Sequence, residues 1–264
     1  MNLVGVLESL AADTWERLRD AQHLGVRFGE ETVTDLVLLE LKRTRHPGLQ
    51  VLQTNKHAES TQGTDWEWWL GSDSQGWLRL AVQAKRLSVS TGRYLALAHK
   101  TRGEQQIDLL ERFASDNGAV PLYCLFNFTE KAGPPCWHCC EALTPPQLGC
   151  TLAPAAVIRR AIGNHGHRIF RSIHDNPRTL PWRCLAKCSK FRPVASPTDG
   201  SFSVGERLIE LFGDGVTLYS RLPDAIQRAR ARGVIDEPAE LYTADAAQVP
   251  SRVVILDFAL EETV

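Results

Sequence analysis

Apolar residues recur at helical spacing at the start of the chain, where Leu7, Leu10, Trp15 and Leu18 predict a helix from Leu3 to about His23, ending near Gly25. A second helix is predicted after Gly29. Thr32 and Asp35 have the spacing of a capping box, with Asp35 read as a cap, Leu36 to Leu41 as the helix body and Pro47-Gly48 as the stop. Leu49 to Thr54 reads as a short strand, followed by a polar link through Glu59 and Gly63. The period then changes to two. Thr64 to Leu70 and Trp77 to Leu87 are strand-like and are joined by the turn-forming run Gly71 to Gly76. In the second strand Leu78, Leu80, Val82 and Ala84 alternate with Arg79, Ala81, Gln83 and Lys85, which puts the first set in a core and the second on the opposite face. In the first strand Trp66, Trp68 and Leu70 share one face, and Asp65 and Glu67 the other. An antiparallel hairpin therefore brings Asp65, Gln83 and Lys85 to one side, with an apolar layer behind them.

Glu104 to Asn117 reads as an amphipathic helix with Ile107, Leu110 and Phe113 on one stripe, and Pro121 to Phe128 as an apolar strand. The order helix, strand, strand, strand, helix, strand predicts an α/β or α+β sheet domain. After Phe128 the composition changes to Pro134-Pro135, clustered cysteines and a basic helical stretch. Residues 1–130 are therefore expected to form the sheet domain and 131–264 a cysteine-containing, basic accessory lobe with an acidic end. Further helices are expected at Glu206 to Phe212 and Asp224 to Arg232, and a strand at Arg252 to Phe258.

Charge alters the picture through its distribution. The net charge is −1, yet no acidic residue falls between Asp73 and Glu104, where Arg79, Lys85, Arg86, Arg93, Lys100 and Arg102 lie. A second basic tract runs from Arg159 to Arg192, interrupted only by Asp175. Such stretches suit either a polyanion or an ordinary solvated surface. Met1 to Leu10 carries Glu8 and lacks a basic start, so no secretory leader is expected, and no apolar run is long enough to span a bilayer. A cytoplasmic protein is the expectation. No glycine-rich phosphate loop is present, which argues against nucleotide hydrolysis.

Phosphodiester hydrolysis calls for a hard divalent cation, a positioned water and a group that balances charge. Asp65 supplies a carboxylate, Gln83 offers an amide oxygen, and Lys85, two residues on, faces the same way beside the phosphate. At Gly63-Thr64-Asp65-Trp66-Glu67 and Gln83-Ala84-Lys85 the chain resembles the PD-(D/E)xK, or restriction-endonuclease-like, nuclease superfamily, over roughly residues 29 to 128. The same runs look like an uncharacterised bacterial branch of it. The resemblance implies an α-β-β-β-α-β core with a mixed sheet and an endonuclease that cuts DNA with Mg²⁺ or Mn²⁺. Asp65 would bind the metal, Gln83 would complete its shell, Lys85 would orient water, and Glu31 at the start of the early helix, or Glu59, would support. Gln83 replaces the commoner acidic residue, which weakens metal binding unless Glu31, Glu59 or Glu67 compensates. Arg86, Arg93, Lys100, Arg102 and the tract from Arg159 would hold the phosphate backbone. Gln105 and Gln106 open the next helix, as DNA contacts or as a solvated helix start. Bacterial defence is the setting the resemblance suggests, with a homodimer or an activating partner.

Cys136-Trp137-His138-Cys139 and Cys184 to Cys188 give one C-x-x-C and one C-x-x-x-C, which could close a structural zinc site with His138, Cys140 or Cys150 as alternative ligands. Buried free thiols explain the same residues equally well. Cys124, inside an apolar strand, is expected in the core. A second reading follows: a non-catalytic nucleic-acid-binding or interaction protein, with the zinc lobe as its binding part.

Overall fold

The computed structural model describes residues 2–53, 64–130, 144–188, 194–195, 202–203, 212–213, 216–232 and 252–260. Glu59, Cys136, His138, Cys139 and Cys140, and the helix expected at 206–212 except Phe212, lie outside them. No helix among the described residues is long and apolar enough to cross a membrane.

Helix α1 spans Leu3–His23, with the Asn2 side chain accepting the Gly5 N–H as its N-cap. Its buried stripe, from Leu3, Leu7 and Leu10 to Trp15 and Leu18, faces the turn Pro145–Gly149 and the sheet. Gly149 is held so close to α1 that a Cβ there would stand 1.9 Å from the Ala11 carbonyl oxygen. Helix α2, Glu30–Arg43, begins three residues earlier than a Thr32 cap would allow. Gly29 is its N-cap without a side-chain bond, and Glu30 and Glu31 occupy the first turn, where carboxylates suit the helix dipole. Asp35 is therefore no cap. It lies inside α2, exposed, and pairs with Arg252 at 2.5 Å.

Strands β1 (Leu49–Gln53), β2 (Trp66–Ser72) and β3 (Gly76–Arg86) follow. The turn between β2 and β3 is shorter than the composition suggested. Gly71, at φ +146°, is so close to the Gly76 carbonyl that a Cβ would stand 2.0 Å from its oxygen, and pairing continues to Ser72 opposite Gly76. A small hairpin, β4 (Lys100–Thr101) with β5 (Glu104–Gln105), precedes α3 (Gln106–Asp116), and β6 (Val120–Phe126) runs parallel to β3. Next come β7 (Cys150–Pro154), α4 (Ala155–Gly163), α5 (Phe170–His174), β8 (Leu180–Pro181) and α6 (Cys184–Lys187). β9 (Val194–Ala195) pairs with β10 (Phe202–Ser203), and β11 (Leu218–Tyr219), α7 (Asp224–Arg232) and β12 (Arg252–Asp257) complete the described elements.

The mixed sheet runs β1-β12-β2-β3-β6-β7-β8, with β11 on the early part of β3. The protein is thus of mixed α/β class, and helix-strand-strand-strand-helix-strand is the order of its α2–β6 portion, apart from the β4–β5 hairpin. The expected division near residue 130 does not divide the core. β7 continues the sheet beside β6, and β12 is inserted between β1 and β2, antiparallel to one and parallel to the other. Val254 and Leu256 enter the same apolar cluster as Trp66, Trp68 and Leu80. The sheet needs β12 because β1 and β2 do not pair with each other.

The second face of the hairpin is also covered. Trp69 and Trp77 pack with Val253, Ile255, Leu222 and Ile226 of β12 and the α7 region. There Glu67, 1% exposed, receives Arg79 in a two-point ion pair and the Trp69 indole N–H at 3.2 Å. Expected as a spare metal ligand, Glu67 is instead the counter-charge of Arg79.

A buried polar network ties β6 and β7 to α5. The Asn127 amide nitrogen donates to the carbonyls of Leu125 and Leu148 and to Thr151, and its oxygen accepts from the Tyr94 hydroxyl. His174 lies between Thr151 (2.9 Å) and the Phe170 carbonyl (2.9 Å). Burial lowers His174 to about 4 from its ordinary 6.5. The unfolded chain therefore binds a proton that the folded chain refuses between these values, so stability falls as pH drops from about 6.5 towards 4. The stability advantage of the wild type over His174→Gln is expected to shrink by about 2 kcal/mol between pH 7 and pH 5. Denaturant unfolding of both proteins at the two pH values measures it, and a constant difference would show that His174 does not carry the dependence.

Candidate active site

Asp65 stands just before β2. Its backbone N–H donates to the Val82 carbonyl at 2.8 Å, which sets it across from Gln83 by continuation of the Trp66–Val82 pairing. Its Oδ2 accepts the Ala84 N–H at 2.7 Å and the Gln83 Nε2 at 2.6 Å. Lys85, 3% exposed, donates from Nζ to Glu30 Oε1 at 3.1 Å, while Glu30 Oε2 accepts the Arg86 N–H at 3.1 Å. The hairpin and the first turn of α2 thus converge, as period-two facing on β3 requires.

These groups form the floor of a cavity of about 300 Å³. Its walls are Glu31 and Thr34 of α2, Ala96 and His99 of the turn before β4, Gln106 at the start of α3, and Arg252 of β12. Burial pushes the Asp65 carboxyl up from 3.8 to about 6, against the pull of Lys85 and the Ala84 N–H, and Glu30 raises it further. A carboxylate in this position lacks a full counter-charge.

Of the residues expected at the site, Asp65, Gln83, Lys85 and Glu31 share the cavity, and Glu59 lies outside the described residues. The lysine's partner is Glu30, one residue before the Glu31 expected from the sequence. Thr34, His99 and Arg252 were not anticipated. Glu30 and Thr34 share a face because they are one helical turn apart, a signal that appears only once the helix is started at Glu30.

The donors suit a hard cation. Two or three carboxylates and two amides are oxygen ligands of the kind Mg²⁺ takes while keeping waters. Gln106 Oε1 is buried with no hydrogen-bond partner in the described structure, and Gln106 lines the cavity. Gln83 turns its amide nitrogen to Asp65, so offering its oxygen to a shared cation requires the amide to rotate and release that hydrogen bond. No group of three or more His, Cys, Asp or Glu among the described residues is arranged to hold a metal unaided. A cation here would draw on amide oxygens and water as well as on carboxylates.

The expected phosphate-holding residues divide. Arg86 leaves the end of β3 beside Glu30, and Lys100 and Arg102 lie on the β4–β5 hairpin that follows His99. Arg93 donates to the His165 carbonyl and bridges Ser88 and Ile169, and so braces the loop. Arg159 is clamped by Asp108 at 2.8 Å and Glu111 at 2.5 Å on α3, and Arg183 pairs with Glu8. Three arginines of the second basic tract, Arg159, Arg171 and Arg183, are thus committed to carboxylates nearby. Gln105 belongs to β5, opposite Lys100.

Cys184 and Cys188 are buried at the two ends of α6, while their expected zinc partners Cys136 and Cys139 lie outside the described residues. Cys150 is buried in β7, where its thiol donates to Thr14 Oγ1 at 3.4 Å and burial pushes it up to about 12. Cys124 is fully buried, and its thiol is held well above the ordinary range.

No curated protein and no solved structure matches the chain. One family does match, over residues 3–260, described as a family of unknown function (DUF6615). That span takes in every residue of the cavity from Glu30 to Arg252, and the chain belongs to the DUF6615 family.

Proposed function

We propose that the protein is a divalent-metal-dependent nuclease that hydrolyses phosphodiester bonds of DNA, with a restriction-endonuclease-like core. One observation carries the reading: Asp65, Gln83 and Lys85 share the floor of one polar recess with Glu30. Asp65 and the amide oxygen of Gln83 would hold Mg²⁺ or Mn²⁺, with Glu30, Glu31 and Gln106 within the same cavity. The chemistry such a cation supplies is neutralisation of the phosphoryl oxygens. Lys85 presents a preorganised ammonium to the charge that develops on phosphorus-bound oxygen, and its burial strengthens that effect. Glu30 holds the ammonium in place from one side and anchors itself on the Arg86 N–H from the other. Arg252, held by Asp35, adds a guanidinium at the cavity wall. Bacterial defence, with a homodimer or an activating partner, is the proposed setting.

Incubation of plasmid and single-stranded DNA with Mg²⁺ or Mn²⁺, against an EDTA control, tests this. Metal-dependent breaks are the expected result. Absence of cleavage with undiminished DNA binding would point to the binding-only reading, which has one observation in its favour. Gln83 stands where an acidic residue would bind metal more strongly, and its amide nitrogen already satisfies Asp65. In that reading Cys184 and Cys188, with Cys136 and Cys139, carry a structural zinc.

A further inference from the structure

We infer that the recess receives an unpaired DNA strand and excludes intact duplex, an inference that rests on the nuclease reading for the identity of the polymer. Depth is the first argument. Gln83 is 2% exposed and the Lys85 side chain 3%, so the reacting phosphate must descend to a floor that solvent scarcely reaches. The walls come from four separate parts of the chain: α2, the turn before β4, the start of α3 and β12. A volume of about 300 Å³ is at the low end for small-ligand pockets, with room for about one nucleotide. In a stacked duplex each phosphate is fixed on the outside of the helix and cannot leave it without unstacking its neighbours. An unpaired strand bends into a recess freely.

The rim supplies the second argument. Leu95 is 65% exposed on the short helical turn Leu95–Ala98, beside the wall residue Ala96. The turn is rigidly displayed. Tyr94 and Leu97 on either side of Leu95 are buried, the Tyr94 hydroxyl is bonded to Asn127, and its N–H donates to the Arg168 carbonyl at 2.8 Å. A large apolar side chain held out beside a polar cavity offers an apolar contact to the exposed face of an unpaired base, a face that an intact duplex buries in its own stack. Arg252 on the β12 wall and exposed Lys100 on the adjoining hairpin supply charge for the strand's phosphates.

Fluorescence anisotropy with one oligonucleotide, as a single strand and as a duplex, in Ca²⁺ and in EDTA, tests the inference on the full chain. The single strand is expected to bind at least about tenfold more tightly, and Leu95→Ser to weaken that binding several-fold with little effect on the duplex. Leu95 is exposed, so this variant is expected to fold. Equal affinities, or tighter duplex binding, would overturn the inference. So would a single-strand preference that Leu95→Ser leaves unchanged, because the strand would then lie elsewhere. Cleavage of the same oligonucleotides in Mn²⁺ separates the two ideas. Duplex cut as fast as single strand would overturn the strand inference and leave the nuclease. A single-strand binding preference without cleavage of either form would sink the nuclease reading and leave a strand-binding recess.

Discussion

Lys85→Met is expected to remain folded, to keep its response to divalent cations, and to lose DNA cleavage by about 10²–10³-fold. The variant preserves an unbranched chain of similar length in a site where the lysine is 3% exposed, so packing changes little. The Glu30 carboxylate loses its partner at 3.1 Å but is 30% exposed, and it still accepts the Arg86 N–H, so water can replace the ammonium at modest cost. Asp65 and Gln83 are untouched, and cation binding should persist. What disappears is the buried positive charge that the proposed reaction sets beside the phosphoryl group. Cleavage rates, circular dichroism and the Mn²⁺-induced shift of the melting temperature, taken together, decide the matter. Unchanged cleavage in the folded variant would show that the reaction centre lies elsewhere.

Asp65→Asn is expected to stabilise the protein in EDTA and to abolish its stabilisation by divalent cations. The Asp65 carboxyl is raised to about 6 in the folded chain from 3.8, so the folded state binds the extra proton between these values. Stability therefore falls as pH rises from about 4 to 6, and above 6 the ionised group costs no more than about 3 kcal/mol. Asparagine carries no such charge, and its side-chain oxygen can still accept the Ala84 N–H. The advantage of Asp65→Asn over wild type in EDTA should therefore grow between pH 4 and pH 7. In the wild type, saturating Mg²⁺ or Mn²⁺ at pH 7 should restore about 2–3 kcal/mol, the linkage expected at roughly 100 times the dissociation constant. The Asn variant should gain nothing and cut nothing. His174 acts in the opposite sense over an overlapping range, so the wild-type profile alone is partly flattened and the difference between proteins is the quantity to measure. A variant less stable than wild type in EDTA at pH 7 would contradict the account of Asp65 as an undercompensated charge.

Several features were legible from local pattern. The limits of α1 follow its 3.6-residue stripe, and the β2–β3 hairpin follows its period of two. Because side chains two apart on a strand share a face, alternation alone assigns Gln83 and Lys85 to one side and brings Asp65 to them. The choice between Glu30 and Glu31 was not legible. Gly29 marks the start of α2 but caps it without a side-chain bond, and Thr32 and Asp35 mimic a later cap, so the sequence does not say which of the two glutamates in the first turn meets Lys85. The fate of Glu67 was equally hidden. Alternation identifies the face opposite the apolar one but does not say whether water or another element covers it. Here the α7 region and β12 cover it, and Glu67 is committed to Arg79.

By itself, then, the sequence determined the elements whose signals lie within one or two turns of helix or one strand: α1, the hairpin, α3 to within two residues at its start, and the shared facing of Asp65, Gln83 and Lys85. Tertiary structure decided the strand order, in which residues 252–257 insert between β1 and β2, and with it the arrival of Arg252 at the cavity. It also decided that Arg159 answers to Asp108 and Glu111 on α3. Periodicity is set by neighbours along the chain, through backbone geometry and the need to bury one face. Which distant segment buries the other face, and which charge meets which, depends on contacts across some two hundred residues, and no local pattern encodes them.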